Sequence, residues 1–248
     1  CVEDINSIED LKEIPELTKK IMTENHESLI SIKCKEYEPK KMSSGGTTGT
    51  TATFLLDKDT HYRKEAQAYH YWKRHGFDIG RDKTIMYRAG VIIPKGAPIL
   101  KPWRIDYARK MAYFSSYYGS NDLYENYYQF LSSWQPKYMH FLPSSVYLFA
   151  LFLNGKDRVI PLKKAFSASE MLYDFQKEEI ERAFDCQVID HYGHIEPGNY
   201  VAGQCANGNY HTCSNDVITE VLDDGSILET SLSNFSMPFI RYRIGDFA

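Results

Sequence analysis

The chain has 248 residues, of which 43% are hydrophobic and 25% charged, with a net charge of −4. That is enough for one large domain or two small ones with a true core, and it excludes a disordered or fibrous chain. The slightly acidic balance argues against nucleic-acid binding, which asks for a basic excess. No apolar run is long enough to span a membrane, residues 146–153 being the longest candidate, and no secretory signal is visible. Five cysteines are too few and too odd a number for a disulfide framework, so a reducing, cytoplasmic setting is expected. The chain starts at Cys1 and stops at Ala248, two residues after a motif that should not be terminal. Both ends are therefore expected to be cuts within a longer protein.

In chain order, residues 12–30 form a lead-in with Ile14-Pro15 and then a short helix that Thr18 can cap. Residues 60–75 form a helix, with Tyr62, Tyr69 and Trp72 at helical spacing and Gly76 placed to stop it. Residues 84–93 form a β-branched strand ended by Pro94. Asn121 or Asp122 caps a helix that runs to Trp134, before Pro136. Residues 138–142 are a buried strand, and Pro143 and Ser144 open an apolar helix to Asn154-Gly155. A strand over 159–167, a helix over 171–184 and a strand over 187–191 make a βαβ unit and imply a parallel sheet. After Asn209 the pattern alternates, and Asp223-Asp224-Gly225 joins two strands, the second over 226–231, into a hairpin. The expected fold is α/β, with layered sheets in a body over residues 1–200 and an antiparallel β segment over 201–248.

The densest chemical signal is Ser43-Ser44-Gly45-Gly46-Thr47-Thr48-Gly49-Thr50. Such a run can turn successive N–H groups and hydroxyls toward phosphate oxygens; it can equally be a flexible linker. It is not a Walker A loop, because no lysine follows until Lys58. In a doubly wound sheet ligands sit beyond the carboxyl ends of the strands. Two polar clusters fall there, Ser167-Ala168-Ser169-Glu170 and His191-Tyr192-Gly193-His194-Ile195-Glu196. Tyr192 offers a flat face for a base, Gly193 close backbone approach, and Glu196 a hard oxygen for Mg²⁺. A final strand over 238–246 ends in Gly245-Asp246, whose carboxylate can accept two ribose hydroxyls. Each of these residues also has a plain reading, as a loop tyrosine, a solvated charge or a turn aspartate.

Taken in order, these segments resemble the adenylate-forming enzyme superfamily, and within it the phenylacetate–CoA ligase/coenzyme F390 synthetase (CapK-like) branch. The Ser43–Thr50 run resembles the family's phosphate loop, Ser167–Glu170 its adenine loop, and Tyr192-Gly193-His194-Ile195-Glu196 its Tyr-Gly-x-x-Glu motif. Arg241-Tyr242-Arg243-Ile244-Gly245-Asp246 resembles its Arg-Tyr-Arg-Thr-Gly-Asp motif, and Ser233–Pro238 is similar to a segment of this branch. The resemblance implies the large N-terminal domain of an acid–thiol ligase, which forms an acyl-adenylate from ATP and a small carboxylic acid and then a thioester with CoA. It implies that Ser43, Ser44, Gly45, Gly46, Thr47, Thr48, Gly49 and Thr50 bind the phosphates. Ser169, Glu170, Tyr192 and Gly193 would bind adenine, Asp246 ribose, and Glu196 Mg²⁺, with Glu196 and Thr48 as the catalytic residues. Residues 113–119 would lie where relatives build the acyl pocket.

Two departures stand out. The family's loop continues to Pro-Lys, where this chain has Thr51-Ala52, and these 248 residues are expected to end before the family's small C-terminal domain, which carries a catalytic lysine. This stretch alone is expected to turn over poorly or not at all. A non-catalytic protein of the same fold, or an acyl-protein synthetase in capsular polysaccharide or natural-product biosynthesis, are the alternatives. Cys205, His211 and Cys213 are either unrelated loop residues or ligands of a structural Zn²⁺, with Cys186, His194 or His140 as a fourth. The acid and the oligomeric state are not legible.

Overall fold

The structure is a computed structural model that describes residues 5–43, 52–90, 92, 102–196, 198, 200–212 and 215–248. The chain divides into two compact units. The first comprises residues 1–68, 193–202 and 212–248; the second comprises 69–192 and 203–211.

The second unit contains most of an eight-stranded sheet. Its strands are β3 (Thr84–Arg88), β4 (Trp103–Asp106), β5 (Met111–Ser115), β6 (Tyr138–Phe141), β7 (Lys164–Ser167), β8 (Gln187–Gly193), β9 (Tyr200–Gln204) and β10 (Tyr210–Thr212). They lie in the order β10-β9-β8-β7-β6-β3-β5-β4. From β8 to β5 every pairing is parallel, and β4 closes one edge antiparallel to β5. Helices α3 (Asn121–Trp134), α4 (Pro143–Asn154) and α5 (Asp174–Phe184) connect these strands. The parallel βαβ arrangement is the one expected from the alternation of strand and helix patterns.

Strand β6 shows why its run reads as continuously apolar. Met139 and Phe141 join the core formed with α3, α4 and α5, around Phe114, Tyr127, Phe149 and Ile180. Tyr138 and His140 point the other way, onto Phe77 and Trp72. A parallel strand covered on both faces has no solvent side to make polar. Trp72 lies flat on Phe166, with ring centroids 5.3 Å apart. Gly76 stops the preceding helix as expected, at φ 92°, a left-handed conformation that costs glycine little.

The first unit holds two small sheets and a separate core. Strands β1 (Lys40–Ser43) and β2 (Thr53–Leu56) form an antiparallel pair. Strands β11 (Val217–Val221), β12 (Ser226–Ser231) and β13 (Tyr242–Phe247) form a three-stranded antiparallel sheet with β12 in the middle. The Asp223-Asp224-Gly225 turn does join β11 to β12. Leu17, Met22, Phe54, Leu56, Met237, Phe239 and Tyr242 pack together as this unit's apolar core. The short helix α1 (Lys19–Glu24) has the expected cap, Thr18 Oγ1 accepting from the Ile21 amide at 3.2 Å. Helix α2 (Lys58–Arg74) begins two residues earlier than its aromatic spacing indicates.

Some boundaries differ from the sequence expectation. The cap of α3 is Ser120, which accepts from the Leu123 amide, and Asn121 and Asp122 already lie inside the helix. The strand expected from residue 159 begins only at Lys164, because Ile160 and Leu162 bond to Ala183 and Phe184 at the end of α5. Strand β8 continues to Gly193, so Tyr192 is inside a strand and not beyond one. The last strand begins at Tyr242, because Arg241 takes a left-handed φ of 48° that breaks the extended run.

Candidate functional site

The Ser/Thr/Gly run sits between two paired strands. Ser43, exposed at the end of β1, is the register partner of Thr53 at the start of β2. Ser44, Gly45, Gly46, Thr47, Thr48, Gly49 and Thr50 lie outside the described residues.

The strand that leaves the run is fixed by a buried polar clamp. Asp57, 2% exposed, accepts the amides of Phe235 at 2.7 Å and Ser236 at 2.9 Å. Asn234 Oδ1 accepts the Asp57 amide at 2.9 Å, and its Nδ2 donates to the carbonyls of Leu55 and Met237. Thr60 Oγ1 adds a bond to the Ser233 carbonyl at 2.6 Å. The Ser233–Pro238 segment, noticed in the sequence only for its resemblance, is thus bound to the start of α2. A buried carboxylate with amide donors was the missing signal, and Asp57 has no special neighbour in the sequence.

Glu196 and Asp246 also lie in the first unit. Glu196 is half-buried, in a turn closed by the Gly198 amide bonding to the Ile195 carbonyl at 3.1 Å. Gly198 has φ 75°, and a Cβ there would run into Leu56 and Thr60, so only glycine fits. Burial, and then the nearby Glu196 carboxylate, push the Tyr242 phenol above its usual range. Asp246 is exposed on β13. The arginines of that motif face the start of the chain. Arg241 Nε is 3.0 Å from Glu220 Oε2, and its Nη1 bonds the carbonyls of Lys12 and Ile14. Arg243 takes both oxygens of Glu16, at 2.7 and 3.0 Å.

Ser169, Glu170 and Tyr192 belong to the second unit. Ser169 follows β7 in a left-handed conformation, φ 71°. Glu170 Oε2 accepts the Ser144 amide at 2.9 Å, in the first turn of α4, where the helix dipole favours a carboxylate. Below them, Asp190 on β8 accepts the hydroxyls of Ser167 and Tyr210. Burial raises the Asp190 carboxyl above the usual range, against the pull of these bonds. In residues 113–119, Tyr113 is half-buried and Tyr117 and Tyr118 are exposed. A groove of about 310 Å³ lies on the neighbouring edge, lined by Trp103, Ile105, Tyr107 and Phe130.

Cys205 and His211 stand side by side, and the imidazole with the Asn207 amide holds the Cys205 thiol below its usual range. Cys213 lies outside the described residues. Among the described residues no group of three His, Cys, Asp or Glu side chains is arranged to hold a metal. His140 is buried against Trp72, with its Nδ1 accepting from Arg88 Nε at 3.0 Å. Burial pushes the Cys186 thiol up to about 12.

No protein-family model matches the chain. In structure, it is similar to 2-hydroxyisobutyryl-CoA ligase in complex with 2-HIB-AMP and CoA, with a TM-score of 0.73 and 17% identity over 98% of this chain and 61% of that one. It is also similar to the anthranilate CoA ligase AuaEII in complex with anthranoyl-AMP, with a TM-score of 0.54 and 18% identity over 80% of this chain and 40% of that one. The fold is therefore that of the large N-terminal domain of the adenylate-forming enzymes, as the four ordered motifs implied. In sequence the chain is similar to Protein CapK of Staphylococcus aureus, 24% identical over 97% of this chain and 54% of CapK. The chain spans about half the length of this relative. No described helix is long and apolar enough to cross a membrane.

Proposed function

We propose that this chain is part of a cytoplasmic, ATP-dependent ligase that activates a small carboxylic acid as its acyl-adenylate and passes the acyl group to a thiol, that of CoA. The acid's carboxylate oxygen attacks the α-phosphate of ATP, and the bond to pyrophosphate breaks. The thiolate then attacks the acyl carbon, and AMP leaves. The observation that carries this reading is the likeness in fold, over 98% of the chain, to a ligase solved with an acyl-AMP and CoA.

In this reading Ser43–Thr50 hold the β- and γ-phosphates, with Thr48 among the catalytic residues. Ser169, Glu170, Tyr192 and Gly193 hold adenine, and Asp246 the ribose. Glu196 is the Mg²⁺ ligand: one carboxylate is what that ion takes from a protein when phosphates supply the remaining oxygens. The bound ion would offset negative charge on the phosphates. Cys205, His211 and Cys213 form a structural Zn²⁺ site, whose first two donors are already adjacent. Phenylacetate is the first acid to try, on the strength of the branch resemblance.

One observation favours a non-catalytic relative instead. Ala52, at the exit of the run, is buried in an apolar core, so the Pro-Lys that would supply positive charge there is replaced by a methyl group. Pyrophosphate exchange decides between the two. The full-length protein should exchange labelled pyrophosphate into ATP in the presence of one member of a panel including phenylacetate, anthranilate and 2-hydroxyisobutyrate. A folded full-length protein that neither exchanges nor binds ATP–Mg²⁺ would sink the ligase reading. Release of an acyl-CoA, as against labelling of a protein thiol, identifies the acceptor.

A further inference from the structure

Glu229 lies at the centre of β12 with no exposed surface. It is directly opposite Thr219 on β11 and Tyr242 on β13. A carboxylate buried so completely is costly unless it is paired, and an apolar residue of similar size would generally serve stability as well or better. The polar group facing it is His194: Glu229 Oε2 is 2.7 Å from Nε2 of that almost buried imidazole, a close charge contact and not an aligned hydrogen bond.

His194 stands two residues before Glu196, and the segment around it is held at His194, Ile195 and Gly198. The His194 carbonyl accepts from Lys64 Nζ on α2 at 2.7 Å. Ile195 packs its side chain on the apolar core of Leu56, Phe239 and Tyr242. Gly198 closes the turn against Leu56 and Thr60. Tyr242, the cross-strand neighbour of Glu229, is also the residue that senses the Glu196 charge. Glu229, His194, Ile195 and Tyr242 thus lie together within a single unit, next to Glu196 in the chain.

We infer that Glu229 is a positioning residue: through His194 it fixes the turn that presents Glu196. The buried carboxylate holds the imidazole in place by close charge contact, and the imidazole anchors the end of the Tyr-Gly-His-Ile-Glu segment as outer-shell groups anchor ligands elsewhere. This inference rests on the assignment of Glu196 to the ATP–Mg²⁺ site.

The test uses the full-length protein with Glu229→Gln, Glu229→Leu, and the double variant Glu229→Leu/His194→Phe, which removes both polar partners together and guards against misfolding of a single variant. Glu229→Leu and the double variant should weaken ATP–Mg²⁺ binding, read by calorimetry, by about 10- to 100-fold, the range for loss of an outer-shell partner. Glu229→Gln, which keeps an oxygen for the imidazole, should recover much of that loss. In the nucleotide-free protein, amide hydrogen exchange at His194, Ile195, Glu196 and Gly198 should accelerate in the Leu variants while exchange in β11 and β12 stays unchanged. A folded double variant with wild-type affinity and wild-type exchange would overturn the inference. If the wild type itself does not bind ATP–Mg²⁺, the ligase reading fails. The hydrogen-exchange comparison then still decides whether Glu229 holds the turn.

Discussion

Asp57 and Asn234 are 177 residues apart in sequence, and the Asp57 amide donates to Asn234 Oδ1 at 2.9 Å in the interior of the first unit. The bond is one side of a clamp in which the Asp57 carboxylate takes the amides of Phe235 and Ser236. Leaving a buried polar group without its partner costs about 1–3 kcal/mol. Asp57→Ala orphans two amides, so it should lower stability by about 2–4 kcal/mol, and Asn234→Ala should cost about the same. Because the two residues share one network, the double variant should lose clearly less than the sum. Urea midpoints of the three variants test this; additive losses would show the clamp is not one unit.

Glu125 on α3 gives a pH dependence with a definite sign. Arg158, then Gln129 and Lys156, hold its carboxyl at about 2, below the ordinary 4.5. A carboxyl lowered in the folded state stabilises above its unfolded value, and that contribution is lost as pH falls from 4.5 toward about 2. The stability difference between wild type and Glu125→Gln should therefore be constant near pH 6, shrink below 4.5 and vanish near 2. It should also shrink with added salt, since the group is at the surface. A difference that persists unchanged at pH 2 would mean the effect is packing and not charge.

Ser169 carries a left-handed backbone at φ 71° in the loop proposed to hold adenine. Strain of this kind costs of order 1–3 kcal/mol for side chains that do not tolerate it. Ser169→Gly should be close to neutral in thermal melts, whereas Ser169→Val should lose about 1–3 kcal/mol. If valine is tolerated as well as glycine, the loop is not held in this conformation.

Cys205 and Cys186 should differ in reactivity. His211 lowers the Cys205 thiol, whereas burial raises that of Cys186 to about 12. The thiolate is the reactive form, so iodoacetamide at pH 7.5 should label Cys205 first, and His211→Ala should slow it about several-fold. Zn²⁺ added before the reagent should protect Cys205 together with Cys213. Protection of neither residue would remove the zinc proposal.

The local sequence determined the elements whose signals are short-range. Thr18 caps α1, Gly76 ends α2, Pro143 opens α4, and Asp223-Asp224-Gly225 turns β11 into β12. Each of these follows from hydrogen-bonding or φ preferences that act within a few residues. The β7–α5–β8 crossover was legible too, because a strand, a helix and a strand in close succession leave few options except parallel pairing. The likeness to adenylate-forming enzymes rested on four short motifs and their order, which a linear reading can supply. Only the tertiary structure decided what surrounds those motifs. That Asp57 answers to Asn234, Arg241 to the carbonyls of Lys12 and Ile14, and Glu229 to His194 depends on contacts between residues far apart in the chain. Glu229 shows the limit most plainly. In the sequence Ser-Ile-Leu-Glu-Thr-Ser it has the pattern of a solvated strand residue, and it is buried because β12 is the middle strand and both of its faces are covered. Burial of a charge is set by its neighbours in space, and local pattern carries no record of them.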